Sequence, residues 1–399
     1  MSISDLKIGL FGPWLFQLGV GLREIGVDGV RVILDEKEGL LTTALRDEPE
    51  LKDQDFALID RWNSPSACLY PKASALTKLL KEFDVLVLSF LGPMFGPYSK
   101  RPYFFWVSGF DLTGVPFPIR SRFHRTPGAL RNFSAFVLAY WQRRGIREAS
   151  QIWVPPFEPF INAVDSIRKI NNEIEVFPLA HNENLFKPVE PHKKEFLEPK
   201  TLKIFHPSRI MMSEKKNSIN SGQTKHSDRL FKGFSQAINN GLDAELVLVE
   251  QKFSPDRNAA HEIIDELGIT ENVRWESSPN QNGFSWKELA ALYQKSDIVA
   301  DDFGGIGWYG GVAIEGLMSG LPVMSDIDDQ LMSQLHGEQL HPFINVLTPS
   351  EIEKALFSLT DHAQRDSVGK FSREWAVKNH GRQKVAELFL RRLIKCGIT

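Results

Sequence analysis

The stretch DDFGGIGWYGGVAIEGLMSGLPV, residues 301–323, is the most informative part of this chain for its fold class. Glycines crowd its first half and run into an amphipathic helical pattern that carries Glu315 about one turn inside its start. The preceding segment 288–301 has the pattern of a short helix and a buried strand, so the glycines follow the carboxyl end of a strand. Ligands bind at such edges of open α/β sheets. The backbone N–H groups of this turn can hold a diphosphate, and Glu315 can accept hydrogen bonds from a ribose.

A glycine-rich turn alone is a weak signal, because many strand-to-helix turns need glycine only for positive φ or close packing. Apolar runs alternate with helical patterns along much of the chain, and this alternation supports the interpretation of the turn as part of an open α/β sheet. The predicted strands are 6–12, 30–35, 85–90, 103–109, 151–156 and 174–180, followed by 202–208, 244–250, 273–277, 297–301 and 321–326. This alternation is typical of parallel strands with crossover helices. The sequence therefore predicts an α/β chain with two doubly wound, Rossmann-like domains.

Changes of composition along the chain place the domain boundaries. Residues 186–201 hold three prolines and many charges, which is typical of an exposed connection. We therefore expect an amino-terminal domain at 1–185, a linker at 186–201 and a second domain at 202–366. The helical stretch 367–399 is long enough to pack back on the first domain. The polar segment 210–224 has no periodicity and is predicted to be a mobile loop.

The bulk composition bounds the function class. With 399 residues and 42% hydrophobic composition the chain can build two sizeable cores. The net charge of −3 gives no reason to expect nucleic acid. The two cysteines, Cys68 and Cys396, can form neither a disulfide framework nor a thiolate zinc site, which favours a reducing cytoplasm. The amino terminus lacks a basic leader and no apolar run is long enough to span a bilayer, so any membrane contact is expected to be peripheral.

Two cations stand at the predicted edge of the second sheet. Arg209 follows strand 202–208 directly, and Lys225 precedes a helix whose start carries capping residues. In a doubly wound domain both could reach the Gly310 turn, where an arginine fork and a lysine charge can neutralise a diphosphate without a metal. The alternative is that both are ordinary surface cations.

Two loops of the first half are candidates for an acceptor-side site, that is, a site for the substrate whose hydroxyl accepts a transferred group. Gly12 and Pro13 form a strand-to-helix turn that lacks both a full G-x-G-x-x-G pattern and a Walker lysine. Asp111 follows a predicted strand and could orient an acceptor hydroxyl, although a turn-forming or capping aspartate fits equally well.

Residues 113–147 form a basic segment with seven arginines and no acidic residue, interleaved with aromatic side chains. Such a segment could hold the chain on an anionic membrane surface or bind a lipid-linked or polyanionic acceptor. A solvated basic face is the alternative interpretation.

Signals for metal and hydrolase chemistry are weak. The D-x-D pattern at Asp326 and Asp328 follows a predicted strand and is interpreted as a turn. The histidines show no H-E-x-x-H spacing, and Ser108 lacks the G-x-S-x-G elbow.

Taken in order, the segments of the second half resemble the GT-B glycosyltransferases, and within them glycosyltransferase family 4. The matching pieces are FHPSR (205–209), KHSDRLFKGF (225–234), LVLVE (246–250), LGITENVRW (267–275), ELAALYQKSDIV (288–299) and AIEGLMSGLPV (313–323), with FPLAHNENLFKP (177–188) as the link. The resemblance covers most of the second domain and is weaker in the first. It implies two domains that face each other across a cleft.

The resemblance also implies roles for individual residues. Arg209 and Lys225 would bind the donor diphosphate, and their replacement by alanine would slow turnover by on the order of 10²–10³ in a folded protein. Glu315 would bond to the ribose, and the backbone at Gly310 and Gly311 would meet the phosphates. Trp308 and Tyr309 would lie beside the sugar pocket. The turn at Asp111 is similar to an acceptor-side Gly-x-Asp of relatives.

One position departs from the family pattern. Relatives often carry a glutamate eight positions before Glu315, where this chain has Gly307. This departure concerns the sugar contacts more than the nucleotide site.

The implied activity is a retaining, metal-independent transfer of a sugar from a nucleotide-diphosphate sugar to a carbohydrate or lipid-linked hydroxyl, in cell-envelope or surface polysaccharide assembly. No cofactor is expected. A catalytically degenerate protein that still binds the nucleotide sugar is the main alternative, and Gly307 is its best support. A sugar-nucleotide epimerase or a phosphorylase is a third hypothesis, because both can share the two-domain fold.

Overall fold

The structure is a computed structural model. It describes residues 5–36, 47–53, 55–62, 64–118, 129–156, 158–168, 175–189, 201–212, 224–250, 254, 256–279, 283–305, 307–336 and 340–398. The chain divides into two compact units. The first unit comprises Met1–Ala180 and Arg382–Thr399, and the second comprises His181–Gly381.

A six-stranded parallel sheet forms the centre of the first unit, with the strand order β3-β2-β1-β4-β5-β6. Its strands are β1 Ile8–Phe11, β2 Val30–Asp35, β3 Ala57–Asp60, β4 Val85–Ser89, β5 Tyr103–Trp106 and β6 Gln151–Trp153. Strands β1 and β4 are buried at every position, which explains why they contain only one polar residue, Ser89.

Eight α-helices, counted over the described residues, complete the first unit. They are α1 Phe16–Glu24, α2 Pro65–Leu69, α3 Ala75–Leu80, α4 Gly96–Ser99, α5 Phe110–Thr113, α6 Ala129–Glu148, α7 Glu158–Arg168 and, at the end of the chain, α15 Arg382–Lys395. Helix α15 packs closely against α1. A Cβ at Gly21 would lie 2.3 Å from the carbonyl oxygen of Arg382, so only glycine fits at this contact. Its Phe389 packs edge-on against Phe104 and Trp153 of the sheet.

The second unit repeats this architecture with the strand order β12-β11-β10-β7-β8-β9, again all parallel. Its strands are β7 Leu202–His206, β8 Ala244–Val249, β9 Val273–Glu276, β10 Ile298–Ala300, β11 Val323–Ser325 and β12 Phe343–Asn345. Its helices are α8 Ser227–Asn239, α9 Arg257–Glu266, α10 Trp286–Tyr293, α11 Gly311–Met318, α12 Asp329–His336, α13 Pro349–Ser358 and α14 His362–His380.

The prediction of two doubly wound α/β units is confirmed, with local corrections. The predicted strand 174–180 is wrong, because Glu175 forms only a single bridge to Trp153, and Pro178 has no N–H to donate to a ladder. Strands β3 and β12 were not predicted. The stretch 367–399 is not one packing element: α14 belongs to the second unit, and the chain changes units at Gly381. Most of the predicted linker 186–201 and of the predicted loop 210–224 lies outside the described residues.

Each sheet has one place where the strand order reverses: between β1 and β4 in the first unit, and between β7 and β10 in the second. Neighbouring crossover helices leave on opposite faces at such a point and open a crevice at the carboxyl ends of the two strands. These two points position the candidate sites.

Candidate functional site

Polar side chains converge at the reversal point of the second unit. Ser208 follows β7, and its hydroxyl donates to Asp301 Oδ1, which follows β10, at 2.5 Å. Lys225, just before α8, places Nζ 3.1 Å from the same Asp301 oxygen and 3.3 Å from Asp302 Oδ2. The backbone joins the same segments, because Phe303 N–H donates to the Lys225 carbonyl. Strand order thus brings together residues that are up to 93 positions apart.

The protonation of this cluster follows from its burial. Burial works against the charged Lys225 ammonium, but the carboxylates of Asp301 and Asp302 outweigh it and raise the lysine pKa. Burial also works against the Asp301 carboxylate, yet Lys225 and the Ser208 hydroxyl outweigh it and lower the pKa of Asp301. At Asp302 burial wins over Lys225, and the pKa is raised. Lys225 and Asp301 therefore form the charged pair.

Arg209, the other predicted diphosphate ligand, follows Ser208 directly and its side chain is exposed. The structure thus places one predicted cation in a buried ion-pair cluster and the other at the surface of the same edge.

At Gly304 and Gly307 the glycine-rich turn between β10 and α11 has no room for a side chain. A Cβ at Gly304 would lie 2.0 Å from the carbonyl oxygen of Thr224. Gly307 has a φ of +64°, which L side chains rarely adopt, and a Cβ there would lie 2.8 Å from the Cβ of Asp328. The Gly307 N–H donates to Asp326 Oδ2 at 3.0 Å. The conformation of the turn therefore requires glycine at Gly307, the position where proteins of the resembled family often carry glutamate.

The amino terminus of α11 is open. Gly310 is its N-cap, and no described side chain forms a capping hydrogen bond there. Gly310 has a φ of −115°, and a Cβ added there would meet no described atom within 4 Å. The local fold therefore does not require glycine at this position, and the uncapped N–H groups have open space beside them.

Glu315 lies one turn into α11, where its Oε2 accepts a hydrogen bond from the Tyr293 hydroxyl at 2.9 Å. Burial raises the pKa of Glu315 to about 8, against the opposing effect of the Tyr293 hydrogen bond. The carboxyl group is held on the helix that starts at the open turn.

Trp308 and Tyr309 have different environments. The Tyr309 side chain is buried, its hydroxyl lies 3.1 Å from His380 Nε2, and its ring packs against Phe343 and Trp375. Trp308 is half-buried and stacks on Tyr309 with ring centroids 4.5 Å apart. Tyr309 thus anchors the turn in the core, and Trp308 is the aromatic residue of the two that retains accessible surface.

The D-x-D pattern bonds to backbone. Asp326 accepts from Gly307, and Asp328 Oδ1 accepts from the N–H groups of Gln330 and Leu331 at the start of α12, both at 3.0 Å. Among the described residues no group of three or more His, Cys, Asp or Glu side chains could hold a metal ion.

In the first unit, the predicted acceptor-side residues lie at the reversal point between β1 and β4. Gly12 has a φ of +127°, and a Cβ there would lie 2.9 Å from the Cβ of Ser89. Pro13 opens the short 3-10 helix Pro13–Leu15 that follows β1.

Asp111 is fully buried, and its oxygens accept from the backbone N–H groups of Phe90, Ser108, Gly109 and Leu112 at 2.7–3.1 Å. Burial outweighs these hydrogen bonds and raises the pKa of Asp111 to about 6. In this geometry Asp111 organises the loops, as the capping alternative predicted, and has no exposed oxygen with which to orient an acceptor hydroxyl.

The basic segment 113–147 lies partly outside the described residues, which leave out Arg120, Arg122 and Arg125 and the side chain of Arg131. In the described part, α6 carries a stripe of exposed side chains: Phe133, Phe136, Tyr140, Arg143 and Arg147. A groove of about 850 Å³ lies beside this stripe and is lined by aromatic and arginine side chains of α6 together with residues of α7. No described helix is long and apolar enough to cross a membrane.

Sequence reasoning missed the acidic half of the Lys225 cluster. Asp301 and Asp302 open the most informative stretch, but their pairing with Lys225 depends on the adjacency of β7 and β10. A pair of acidic residues directly after a buried strand was the available signal.

No protein-family model and no curated protein matches the chain. Solved structures match it over nearly its whole length. HepE of Anabaena, in complex with UDP and glucose, is 14% identical, with 98% of this chain and 100% of that chain covered and a TM-score of 0.64. Sucrose-phosphate synthase of Thermosynechococcus elongatus is 14% identical, with 98% and 99% covered and a TM-score of 0.61. A Listeria monocytogenes protein assigned as a UDP-N-acetylglucosamine 2-epimerase is 15% identical, with 98% and 95% covered and a TM-score of 0.53.

The fold is GT-B. At 14–15% identity the likeness establishes the GT-B architecture and leaves the reaction to the residues of the site.

Proposed function

We propose that this GT-B protein is a glycosyltransferase that moves a sugar from a nucleotide-diphosphate sugar to an acceptor hydroxyl, with retention of configuration and without a metal. The observation that carries the proposal is the combination at one sheet edge of Arg209, Lys225, the open amino terminus of α11 and the half-buried Glu315. These groups match a diphosphate and a ribose in charge and in hydrogen-bonding capacity.

In this mechanism the bond between the anomeric carbon and the diphosphate oxygen breaks, and negative charge grows on the leaving diphosphate. The N–H groups at Gly310 and Gly311 and the exposed Arg209 guanidinium would stabilise that charge where it develops. Lys225 would contribute less than its full charge, because Asp301 already shares its ammonium. The acceptor oxygen would form the new bond to the anomeric carbon and pass its proton to an oxygen of the leaving diphosphate, and retention is proposed from the family resemblance.

The resemblance of the fold to HepE, a protein that binds UDP and UDP-glucose, makes uridine diphosphate the first donor nucleotide to test. The direct experiment measures nucleoside diphosphate released from UDP-sugars, with an excess of chelator and a mixture of candidate sugar acceptors. We expect release in the wild type and a loss of on the order of 10²–10³ in Arg209→Ala. Arg274→Ala, at an exposed arginine on the edge strand β9, is the matched control.

Different outcomes would favour the competing hypotheses. Binding of UDP without release of nucleotide on any acceptor would favour a protein that kept the donor site and lost transfer, for which the fixed conformation of Gly307 is the relevant observation. Conversion of one UDP-sugar into another without transfer would favour an epimerase.

A role in cell-envelope or surface polysaccharide assembly, at an anionic membrane surface, is the further part of the proposal. It is supported by the exposed stripe of α6, where Phe133 and Tyr140 are more than 60% exposed and Arg143 and Arg147 continue the same helix face. Co-sedimentation with vesicles tests it. Binding that requires anionic lipid, weakens at high salt and is lost in Phe133→Ser/Tyr140→Ser supports the role, and equal binding to neutral vesicles contradicts it.

A further inference from the structure

The reversal point of the first unit carries an aromatic surface that the fold itself does not explain. Two of its exposed large apolar side chains, Trp14 and Phe90, lie in the loops that follow the neighbouring strands β1 and β4, with 42% and 39% of their surface exposed. Gly12, directly after β1, and Ser89, the last residue of β4, approach closely enough to exclude a Cβ at Gly12. The two rings therefore belong to one edge of the sheet, where doubly wound domains bind ligands.

Phe90 is held in a conformation that a bulky residue rarely adopts, with a φ of +53°. Its N–H donates to Asp111 Oδ2 at 3.1 Å, and its carbonyl accepts from Gln142 Nε2 at 2.9 Å. Gln142 and Asp111 are both fully buried, so the loop conformation is enforced from the core. Glycine would occupy this position without strain, yet the chain places an exposed phenyl ring there.

The loops that follow β1, β4 and β5 carry no exposed charge close to the reversal point. Their segments 12–15, 90–93 and 107–113 contain a single ionisable residue, Asp111, and it is buried. The exposed charges of this edge are further along it, where Glu36 after β2 pairs with Arg61 after β3. The corresponding edge of the second unit carries Arg209, Lys225, Asp301 and Asp302. Ser108 adds an exposed polar residue shortly after β5. The loops at the reversal point of the first unit thus offer aromatic faces and neutral hydrogen-bonding groups, which fit an uncharged sugar ring with its apolar C–H faces and hydroxyl rim.

We propose that Trp14 and Phe90 form a stacking platform for a neutral sugar residue of the acceptor. This inference rests on the proposed glycosyltransferase function, and it specifies the acceptor end at the bound site as a neutral pyranose, in contrast to an anionic sugar or an alkyl chain.

Saturation-transfer NMR on the full chain tests the platform. The probes are methyl glycosides of glucose, galactose, mannose and N-acetylglucosamine, together with methyl glucuronide and octyl glucoside. We expect saturation of the ring C–H protons of at least one neutral methyl glycoside, weaker binding of the glucuronide, and about tenfold weaker affinity in Trp14→Ala and in Phe90→Gly.

The variants separate binding from folding. Phe90→Gly relieves the positive φ, which offsets part of the apolar burial lost with the ring, so the variant should stay folded with a thermal midpoint close to that of the wild type while the stacking surface is lost. Phe90→Tyr keeps the ring and should keep the affinity. Tyr70→Ala removes an aromatic residue of the same unit that is 72% exposed, and it should bind like the wild type.

Three results would overturn the platform: no saturation from any neutral methyl glycoside, unchanged affinity in both Trp14→Ala and Phe90→Gly, or saturation confined to the octyl chain. Thermal stabilisation by UDP, measured on the same samples, distinguishes failure of the platform from failure of the proposed transferase function. If UDP stabilises the protein and the glycosides fail, the platform is wrong and the transferase proposal stands. If the glycosides bind through these rings and UDP has no effect, the donor assignment fails and the sugar platform stands.

Discussion

Lys225 Nζ lies 3.1 Å from Asp301 Oδ1, and this ion pair joins the loops that follow β7 and β10, together with the Ser208–Asp301 hydrogen bond. The Asp301 side chain is 1% exposed and the Lys225 side chain is 19% exposed, so the carboxylate is removed from water and the ammonium is largely shielded from it. Its role is therefore structural as well as electrostatic: it holds the loop segments on which the exposed Arg209 and the glycine-rich turn are placed.

The ion pair changes what is expected of the Lys225 variant. Lys225→Ala leaves Asp301 and Asp302 buried beside each other without their cation, so we now expect it to lose about 3–5 kcal/mol of unfolding free energy, in contrast to the folded, slow enzyme that the resemblance implied. Urea unfolding measures this. Lys225→Ala/Asp301→Asn should recover part of the loss, and Lys295→Ala, at an exposed lysine of the same unit, should be neutral. Wild-type stability in Lys225→Ala would contradict the buried pair.

Two glycines of the turn should respond in opposite ways. Gly307→Ala must adopt a φ of +64° and push against Asp328, so we expect a loss of about 2–4 kcal/mol of unfolding free energy. Gly310→Ala meets open space at an ordinary φ and should change stability by no more than about 0.5 kcal/mol. The added methyl group would instead crowd a ligand at the N–H groups of α11, so the affinity for UDP should fall in Gly310→Ala. Equal stability of the two variants would show that the turn differs from this geometry.

Glu315 should make stability depend on pH. Its pKa of about 8 in the folded protein exceeds the ordinary glutamate value, so the folded state binds a proton that the unfolded state has released across that interval. The free energy of unfolding contributed by this group therefore falls as the pH rises from about 5 to 8. Glu315→Gln keeps a partner for Tyr293 but cannot ionise, so its advantage over the wild type should grow across this range. Urea unfolding at pH 5 and pH 8 measures the difference in unfolding free energy between Glu315→Gln and the wild type. The same difference at both pH values would rule out the raised pKa.

Substitutions at Tyr309 should mainly reduce stability, whereas substitution of Trp308 should mainly reduce binding of the sugar nucleotide. Tyr309→Phe loses the hydrogen bond to His380 and should cost about 1 kcal/mol, and Tyr309→Ala should cost about 3–5 kcal/mol because its ring is buried among aromatic side chains. Trp308→Ala should cost less stability, since the side chain is half-buried, and should weaken UDP-sugar binding more than UDP binding. Equal losses for UDP and UDP-sugar in Trp308→Ala would remove this residue from the sugar pocket.

The sequence predicted both sheets, and the positions of Arg209, Glu315 and the glycine-rich turn, because strand, turn and helix signals are local. The pairing of Lys225 with Asp301 could not be predicted from local signals, because that contact depends on which strands are neighbours in the sheet. The environments of Asp111 and Tyr309 also depend on tertiary packing: a capping aspartate and an acceptor-binding aspartate look alike in sequence, and so do a buried and a pocket-lining tyrosine. Strand β3 was missed because only four residues form it and two of them are exposed.

The most direct test of the donor site is a thermal-shift titration of the wild type and Arg209→Ala with UDP, GDP, ADP and CMP, in the presence and absence of a chelator. We expect that one nucleoside diphosphate stabilises the wild type by about 2.7 kcal/mol at a hundred times its Kd, that the chelator leaves this shift unchanged, and that Arg209→Ala loses it. No shift with any nucleotide, or a shift that survives unchanged in Arg209→Ala, would contradict a diphosphate site at this edge of the second unit.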